Sequence, residues 1–413
     1  MSRRISVATL AALLLIPALA RADVVHDWNT IMLTTISSQT PFAQARFGAI
    51  TQLAVFEAVN ACTREYQPYL GTVVAPAGAS AEAAAIAAAH TVLKTYFGGN
   101  AAMLDAARAA SLSAIPDGQS KTDGIKVGEA AADAMIKLRA ADGSAPPQTF
   151  LPATTDPGVW QPTPPAFGPG LLLHWRNVAP FGIKTSDQFR LRPPPALASQ
   201  KYRKAYDEVK SVGEINSTAR PKDRADVAQF YAFTPPTQVF DLAAQQVSAA
   251  QKRSLSENAR ALALINMAIA DGLVAVFDTK YFYVFWRPVT AIRAGETDGN
   301  PLTDGDVNWT PFVTTPSFPG YASAHAAGSG AARKVCELLF GAGGHSITLT
   351  NPSVPATKDI VLHYATFHDI TQDVDDARVY GGIHFRFDQK EGNRLGREVG
   401  SYVYEHNLRP AQR

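Results

Sequence analysis

The sequence predicts an all-α fold, a helical bundle with one long Pro-rich segment wrapped around it. Apolar residues recur at helical spacing over most of the 413 residues. Strand-like alternation is scarce. Residues 144–199 break every period with dense proline and glycine. At 46% apolar residues the chain can fill a large core.

At the N-terminus, Met1-Ser2-Arg3-Arg4 precedes an apolar run from Val7 to Leu19 and then Ala20-Arg21-Ala22. A basic start, a short apolar core and an A-x-A end predict a signal peptide, residues 1–22, cleaved after Ala22. The protein is then exported, to a periplasm or to the medium. The alternative is a membrane anchor, but the run falls well short of the ~20 residues that span a bilayer. The segment holds three arginines and no acid, so its removal takes the formal charge from +2 to −1. A near-neutral chain argues against nucleic acid or an anionic membrane as partner. No other stretch reads as long and apolar enough to cross a bilayer, so no transmembrane segment is expected after signal removal.

Residues 23–413 read as a single helical domain. Its N-terminal helices occupy 23–143: Phe42 to Ala61, with Phe47, Ile50, Leu53, Ala54, Phe56 and Val59 near one face, then Ser80 to Leu93, Ala102 to Ile115 and Lys121 to Ala140. From Ser144 to Pro195 no period holds. A free loop of that length is implausible in a compact domain, so it is expected to wrap the helices, anchored by Trp160, Phe167, Trp175, Phe181 and Phe189. Helices resume over 200–413: Gln200 to Val212, Arg220 to Ala232, Ser254 to Phe285, Ser323 to Phe340, Ala356 to Val374 and His384 to Tyr404. Cys62 and Cys336 could pair in an exported protein or stay as buried thiols, and neither has zinc-ligand spacing. His363 and His368 read as ordinary helix residues. Asp304-Gly305-Asp306-Val307-Asn308 opens like a calcium loop but has Trp309 where glycine is required.

Three segments of the last third carry chemistry: Lys280-x6-Arg287-Pro288, Ser323-Ala324-His325, and Arg378-x5-His384-x3-Asp388. Lys280 and Arg287 lie seven apart, close to two helical turns, and are expected on nearly one face of the 254–285 helix, with Pro288 stopping it. The sheath between them is aromatic, so both cations should be buried and in need of an anion. Asp278 could supply that charge as a plain ion pair. Ser323 stands where a helix begins, and free first-turn amides with a serine hydroxyl form an anion site. His325 would lie beside the bound oxyanion, or Ser323 is a simple cap and His325 a surface residue. Gly381 and Gly382 suggest a turn that swings His384 toward Arg378. Asp388 can then accept the His384 Nδ1–H and leave Nε2 free, or make only a local contact. Together the set suits a tetrahedral oxyanion such as phosphate or vanadate.

These residues resemble the vanadium-dependent haloperoxidases and the type 2 phosphatidic acid phosphatase and bacterial acid phosphatase group, whose shared pattern is K-x6-R-P, P-S-G-H and S-R-x5-H-x3-D. Flanking stretches are similar to the bacterial haloperoxidase branch: Lys280 to Arg293, Ala377 to Asp388, Phe56-Glu-Ala-Val-Asn60 and Pro157 to Pro165. Ala322 and Ala324 replace the proline and glycine of P-S-G-H, and Ala377 replaces the serine before Arg378. The resemblance implies a helical bundle of the haloperoxidase and acid phosphatase type. It implies that Lys280, Arg287, Ser323, the Ala324 amide and Arg378 hold the oxyanion. His384 is then the apical group, bonded to vanadium where vanadate is the cofactor, and His325 the acid–base, with Lys280 polarising the oxidant. The implied activity is oxidation of halide by hydrogen peroxide to hypohalous acid. The alternative is a cofactor-free acid phosphatase in which His384 attacks a phosphate ester and His325 protonates the leaving group. A helical protein that only binds an anion is the third reading. Phe318 fills the position seven before His325, which is Phe or His in relatives.

Overall fold

The computed structural model describes residues 23–412, so the predicted signal peptide lies outside the described residues. Five helices form the N-terminal half: α1 (Val24–Ile36), α2 (Pro41–Thr63), α3 (Ala81–Tyr96), α4 (Ala101–Ser113) and α5 (Gln119–Arg139). Asp23, Thr40 and Ser80 cap the first three by accepting from first-turn amides. α2 is buried along most of its length between α3 and α5. The predicted helices are all present, with α1 in addition. In the Phe56–Asn60 stretch, Glu57 accepts from the Tyr69, Leu70 and Gly71 amides, and Asn60 exchanges two hydrogen bonds with Tyr66. That stretch therefore folds down the chain leaving α2.

The C-terminal half holds α6 (Gln200–Val212), α7 (Lys222–Phe233), α8 (Pro236–Ala250), α9 (Leu255–Tyr283), α10 (Pro288–Arg293), α11 (Ala324–Phe340), α12 (Phe367–Tyr380) and α13 (Arg386–His406). α9 is the axis, packing on α2, α8, α11 and α13. A capping box starts it, with the Glu257 amide donating to Ser254 Oγ at 3.2 Å and the Ser254 amide donating to Glu257 Oε2 at 2.9 Å. Contrary to expectation, α9 is long and apolar enough to cross a membrane, with a mean hydropathy of 1.8, but that window is wholly buried in the protein.

The wrapping segment is irregular apart from a short 3₁₀ turn, Leu173–Asn177. Trp160, Trp175 and Phe181 anchor it in the core and Phe189 packs at its edge, whereas Phe167 is 62% exposed and anchors nothing. Carboxylates on α9 stitch the segment down. Asp271 accepts from the amides of Phe181 (2.6 Å), Gly182 (2.7 Å) and Ile183 (2.9 Å). Two turns on, Asp278 binds Arg190 at 2.5 and 2.9 Å and Arg176 at 3.1 Å. Asp278 is thus spent on the wrap and is not the counter-ion of Lys280 or Arg287. Replacing Asp271 with asparagine turns an N–H₂ toward backbone donors, and chemical denaturation should register a loss of about 2–3 kcal/mol.

Two expected helices are otherwise. The 356–374 stretch divides into a strand, β2 (Val361–Thr366), and α12; β2 pairs antiparallel with β1 (Gly343–Thr350), Ile347 opposite Tyr364 and Leu349 opposite Leu362. Ile347 and Leu349 face inward while Ser346, Thr348 and Thr350 face out, the period-2 alternation of a half-buried strand. His363 accordingly sits on a strand, not a helix. The 384–404 helix begins only at Arg386, so His384 lies before it. Cys62 and Cys336 are both free.

Candidate active site

Lys280 lies in the last turn of α9, but Arg287 is not on that helix. Val284 ends α9 in the left-handed region at φ 48°, and its carbonyl takes the Trp160 amide of the wrap at 2.7 Å. The residue before a proline is pushed out of the α region by the ring. Arg287 follows that rule, extended at φ −95° and ψ 157°, and serves as N-cap of α10. The shared helical face predicted for the two cations is therefore wrong, yet they still converge. Both stand over the Phe318 ring, Lys280 Nζ at 5.2 Å and the Arg287 guanidinium at 5.0 Å from its centroid.

Backbone carbonyls aim these cations. Lys280 Nζ donates to Pro319 O (2.7 Å) and Gly320 O (2.9 Å). Arg287 Nε donates to Phe318 O (2.9 Å) and its Nη1 to Ile383 O (2.8 Å). Gly320 permits this approach, since a Cβ there would sit 2.6 Å from the Trp286 carbonyl. None of these carbonyls carried a sequence signal. Arg378, in the last turn of α12, donates from Nη1 to Tyr231 O at 3.1 Å. Tyr231, on α7, is a site neighbour that no motif marked.

Ser323 caps α11 as expected. Its Oγ accepts from the Ala326 amide at 3.3 Å, which leaves its own hydrogen free to donate. The Ala324 and His325 amides in that first turn have no helical carbonyl behind them. Ala324 is helical and absent from the positive-φ residues, so alanine presents the amide as glycine would. The Ser323 amide donates to Asp388 O at 3.1 Å, tying the start of α11 to the start of α13.

Gly382, at φ +78° and against the Gly213 carbonyl, makes the turn that returns His384 to the cations. His384 Nδ1 is 2.9 Å from Asp388 Oδ2, and Nε2 is 2.9 Å from Arg287 Nη1. An arginine only donates, so Nε2 is the acceptor and Nδ1 carries the proton given to Asp388. Asp388 Oδ2 also takes the Phe385 amide at 3.1 Å.

Electrostatically the site lacks negative charge. Lys280, Arg287 and Arg378 are buried, and among the described residues Asp388 is the one carboxylate acting on the first two. Desolvation, then Arg287 and Arg378, holds the Lys280 ammonium well below its ordinary value. Burial presses Arg287 down to about 9 and Arg378 to about 10. Burial, followed by the cations, also keeps His384 well below the usual imidazole range, and burial with Arg378 does the same to His325. Asp388 is pushed up to about 7 by burial, against the pull of Lys280, the Phe385 amide and Arg287. Arg287 Nη2, Arg378 Nε and His325 Nε2 are buried with no hydrogen-bond partner among the described residues. An orphaned buried donor costs about 1–3 kcal/mol. For Arg287 Nη2 and Arg378 Nε an oxyanion fits as the missing acceptor, while His325 Nε2 is left free to take up or give a proton.

A cavity of about 400 Å³ opens onto Ala324, His325, Arg378 and His384, with walls that include Phe42, Tyr231, Phe233, Pro236, Leu273 and Phe318. All eight residues predicted for the site are thus assembled at one place.

Residues 260–413 match the family described as the VCPO second helical-bundle domain. In sequence the chain is similar to the vanadium chloroperoxidase of Curvularia inaequalis, 24% identical over 308 residues, with 57% of this chain and 50% of that protein covered. The chain therefore spans about half the length of that relative. Among solved structures it is similar to the first bacterial vanadium-dependent iodoperoxidase, with a TM-score of 0.79 at 24% identity over 95% of this chain and 97% of the other. It also matches the holo form of a bacterial vanadium-dependent chloroperoxidase (TM-score 0.72, 16% identity, 90% and 93% covered) and an apo form (0.73, 16%, 90% and 96%). The chain has the fold of these vanadium-dependent haloperoxidase structures, and its residues 260–413 match the VCPO second helical-bundle domain.

Proposed function

We propose that this protein is a vanadate-dependent haloperoxidase-like enzyme that oxidises halide with hydrogen peroxide to hypohalous acid. The observation that carries the reading is Arg287 Nη1 set 2.9 Å from His384 Nε2, with Lys280 and Arg378 near enough to act on the ring and buried arginine N–H donors left unpaired. Those donors, the Ser323 hydroxyl and the Ala324 amide would hold vanadate's oxygens, and His384 Nε2 would bind its vanadium in place of the Arg287 Nη1 contact. Bound there, vanadate would supply the Lewis-acidic centre that activates hydrogen peroxide toward halide.

The chain's own residues do the rest. Asp388 fixes the His384 tautomer so that Nε2 points at the anion. The three cations present preorganised positive charge where negative charge gathers, in a site that burial keeps dry. His325, neutral through burial and the nearby Arg378, can accept a proton at Nε2 and return it. Lys280, held by two carbonyls, keeps one N–H for the oxidant's oxygen. The largely apolar cavity wall excludes water from the reacting atoms.

The same side chains would serve a phosphohistidine mechanism, so the test has two arms. Purified protein is assayed with vanadate, peroxide and bromide, and separately with an aryl phosphate. Vanadate-dependent bromination is the expected result, and aryl phosphate hydrolysis that vanadate inhibits would transfer the site to phosphatase chemistry. Either anion should stabilise the fold, by about 2.7 kcal/mol at a hundredfold excess over its Kd, and thermal unfolding with and without vanadate measures this. Export, with cleavage after Ala22, belongs to the same reading and is supported by the N-terminal pattern alone. N-terminal sequencing of protein recovered from the periplasm or medium tests it.

A further inference from the structure

We infer that Tyr231 and Tyr364 are positioning residues that set Arg378 and His325 against the oxyanion through a buried hydroxyl chain. The inference rests on the oxyanion reading of the site. Tyr231 is fully buried and touches both groups at once. Its carbonyl takes Arg378 Nη1 at 3.1 Å, and its ring stands edge-on to His325, with centroids 6.0 Å apart and planes at 89°. At the far end of the same ring, the hydroxyl lies 2.9 Å from Tyr364 Oη on β2.

The direction of this chain can be assigned. Tyr364 donates to Asp373 Oδ2 at 2.8 Å, and a carboxylate only accepts. Tyr364 Oη must therefore accept from Tyr231, and no proton is left over. Asp373 Oδ1 is held in turn by Arg224 Nη1 at 2.7 Å, and that same nitrogen reaches Asp376 Oδ2 at 3.0 Å. Arg224 and Tyr231 are seven apart on α7, and Asp373 and Arg378 five apart on α12. The two helices are thus clamped at two levels, Arg224 to Asp373 below and the Tyr231 carbonyl to Arg378 above. The hydroxyl chain through β2 joins those levels.

This gives the β1–β2 hairpin a purpose in the site. Tyr364 is opposite Ile347 in the hairpin register, and its hydroxyl reaches inward to close the link. A fixed Tyr231 ring sets the tilt of His325, whose Nε2 has no partner of its own to hold it. A fixed Tyr231 backbone sets Arg378, whose Nε is likewise unpartnered. The two site groups with the least local restraint share one brace.

The test measures binding of orthovanadate, and separately of inorganic phosphate, by titration calorimetry on the purified full chain. Tyr364→Phe and Tyr231→Phe each cut the same link while keeping the aromatic ring. Each should weaken both anions about tenfold, as loss of an outer partner typically does, and should lower kcat more than it raises the KM for peroxide. The double variant should be no worse than either single, because one link is broken in all three. Arg378→Ala provides the scale, since it removes the charge outright. Variants that bind both anions as the parent does, or whose losses simply add, overturn the brace whatever their melting temperatures do. If one single variant fails to fold, the other still decides. A parent protein that binds neither anion overturns the oxyanion reading and the brace with it.

Discussion

Replacing His384 with alanine should abolish halide oxidation while leaving the protein folded. Nε2 carries the lone pair that Arg287 Nη1 meets at 2.9 Å, with Lys280 and Arg378 near enough to act on the ring. Asp388 Oδ2 holds Nδ1–H at 2.9 Å, and the Phe385 amide holds that same oxygen. Burial and the charges of Arg287, Lys280 and Arg378 keep the imidazole neutral well below its ordinary pKa, so the lone pair persists into mildly acidic solution. Without the ring, Arg287 Nη1 loses an acceptor, and the oxyanion that would take its place on Nε2 loses that bond. Loss of a central catalytic group typically costs about 10³-fold or more. The bromination rate with saturating vanadate is the measure, alongside the melting temperature. Asp388→Asn should fall between the parent and His384→Ala, down about 10- to 100-fold: its amide oxygen can still accept from the Phe385 amide and the histidine N–H, but without the carboxylate's charge it holds the imidazole less firmly. A folded His384→Ala protein that brominates within tenfold of the parent would remove His384 from the apical role.

The residues of the site were legible because their chemistry is sparse and their spacing fixed. Ser323 could be read as a helix start, and Gly381-Gly382 as the turn before His384. The four-residue step from His384 to Asp388 held even though His384 lies outside the helix, because Phe385 caps α13 and Asp388 is its third residue. Arg287 reaches the other site candidates by a different route from the shared helical face its spacing suggests. Pro288 reads as a helix stop just after Arg287, and its ring also disfavours the α region for Arg287 itself. That signal is present. So is the alternation in Ser346-Ile347-Thr348-Leu349-Thr350, but five residues of period 2 are a faint pattern in a helical chain.

Other features had no local signature. The carbonyls of Phe318, Pro319, Gly320 and Ile383 that aim Lys280 and Arg287 are backbone groups, which any residue would offer. Tyr231 reads as one more aromatic on an amphipathic helix until α12 is laid against it. Phe167, by contrast, has the composition of an anchor but stands exposed, where the wrap turns it outward at φ 50°. Burial of an aromatic in an irregular segment depends on which way the backbone turns, and no period encodes that.

Arg287→Lys should be almost as damaging to anion binding as Arg287→Ala, although it preserves the charge. The guanidinium does three jobs with separate nitrogens. Nε fixes the Phe318 carbonyl, in the loop that leads to Ser323 and His325. Nη1 fixes the Ile383 carbonyl and reaches His384. Nη2 is left for the oxyanion. A lysine has one nitrogen, and it cannot span two carbonyls in separate loops while still presenting a donor to the anion. The side chain is fully buried, so a misplaced ammonium has no water to turn to. Vanadate and phosphate affinity should each fall about 100-fold in Arg287→Lys. The fold itself should lose roughly 3 kcal/mol as two buried carbonyls go unpaired. Calorimetric titration and denaturant melts measure the two losses independently. A lysine variant that binds vanadate within threefold of the parent would mean that charge alone makes the site. The forked contacts of Arg287 would then be structural, and the loops bearing His325 and His384 would have to be held by something else.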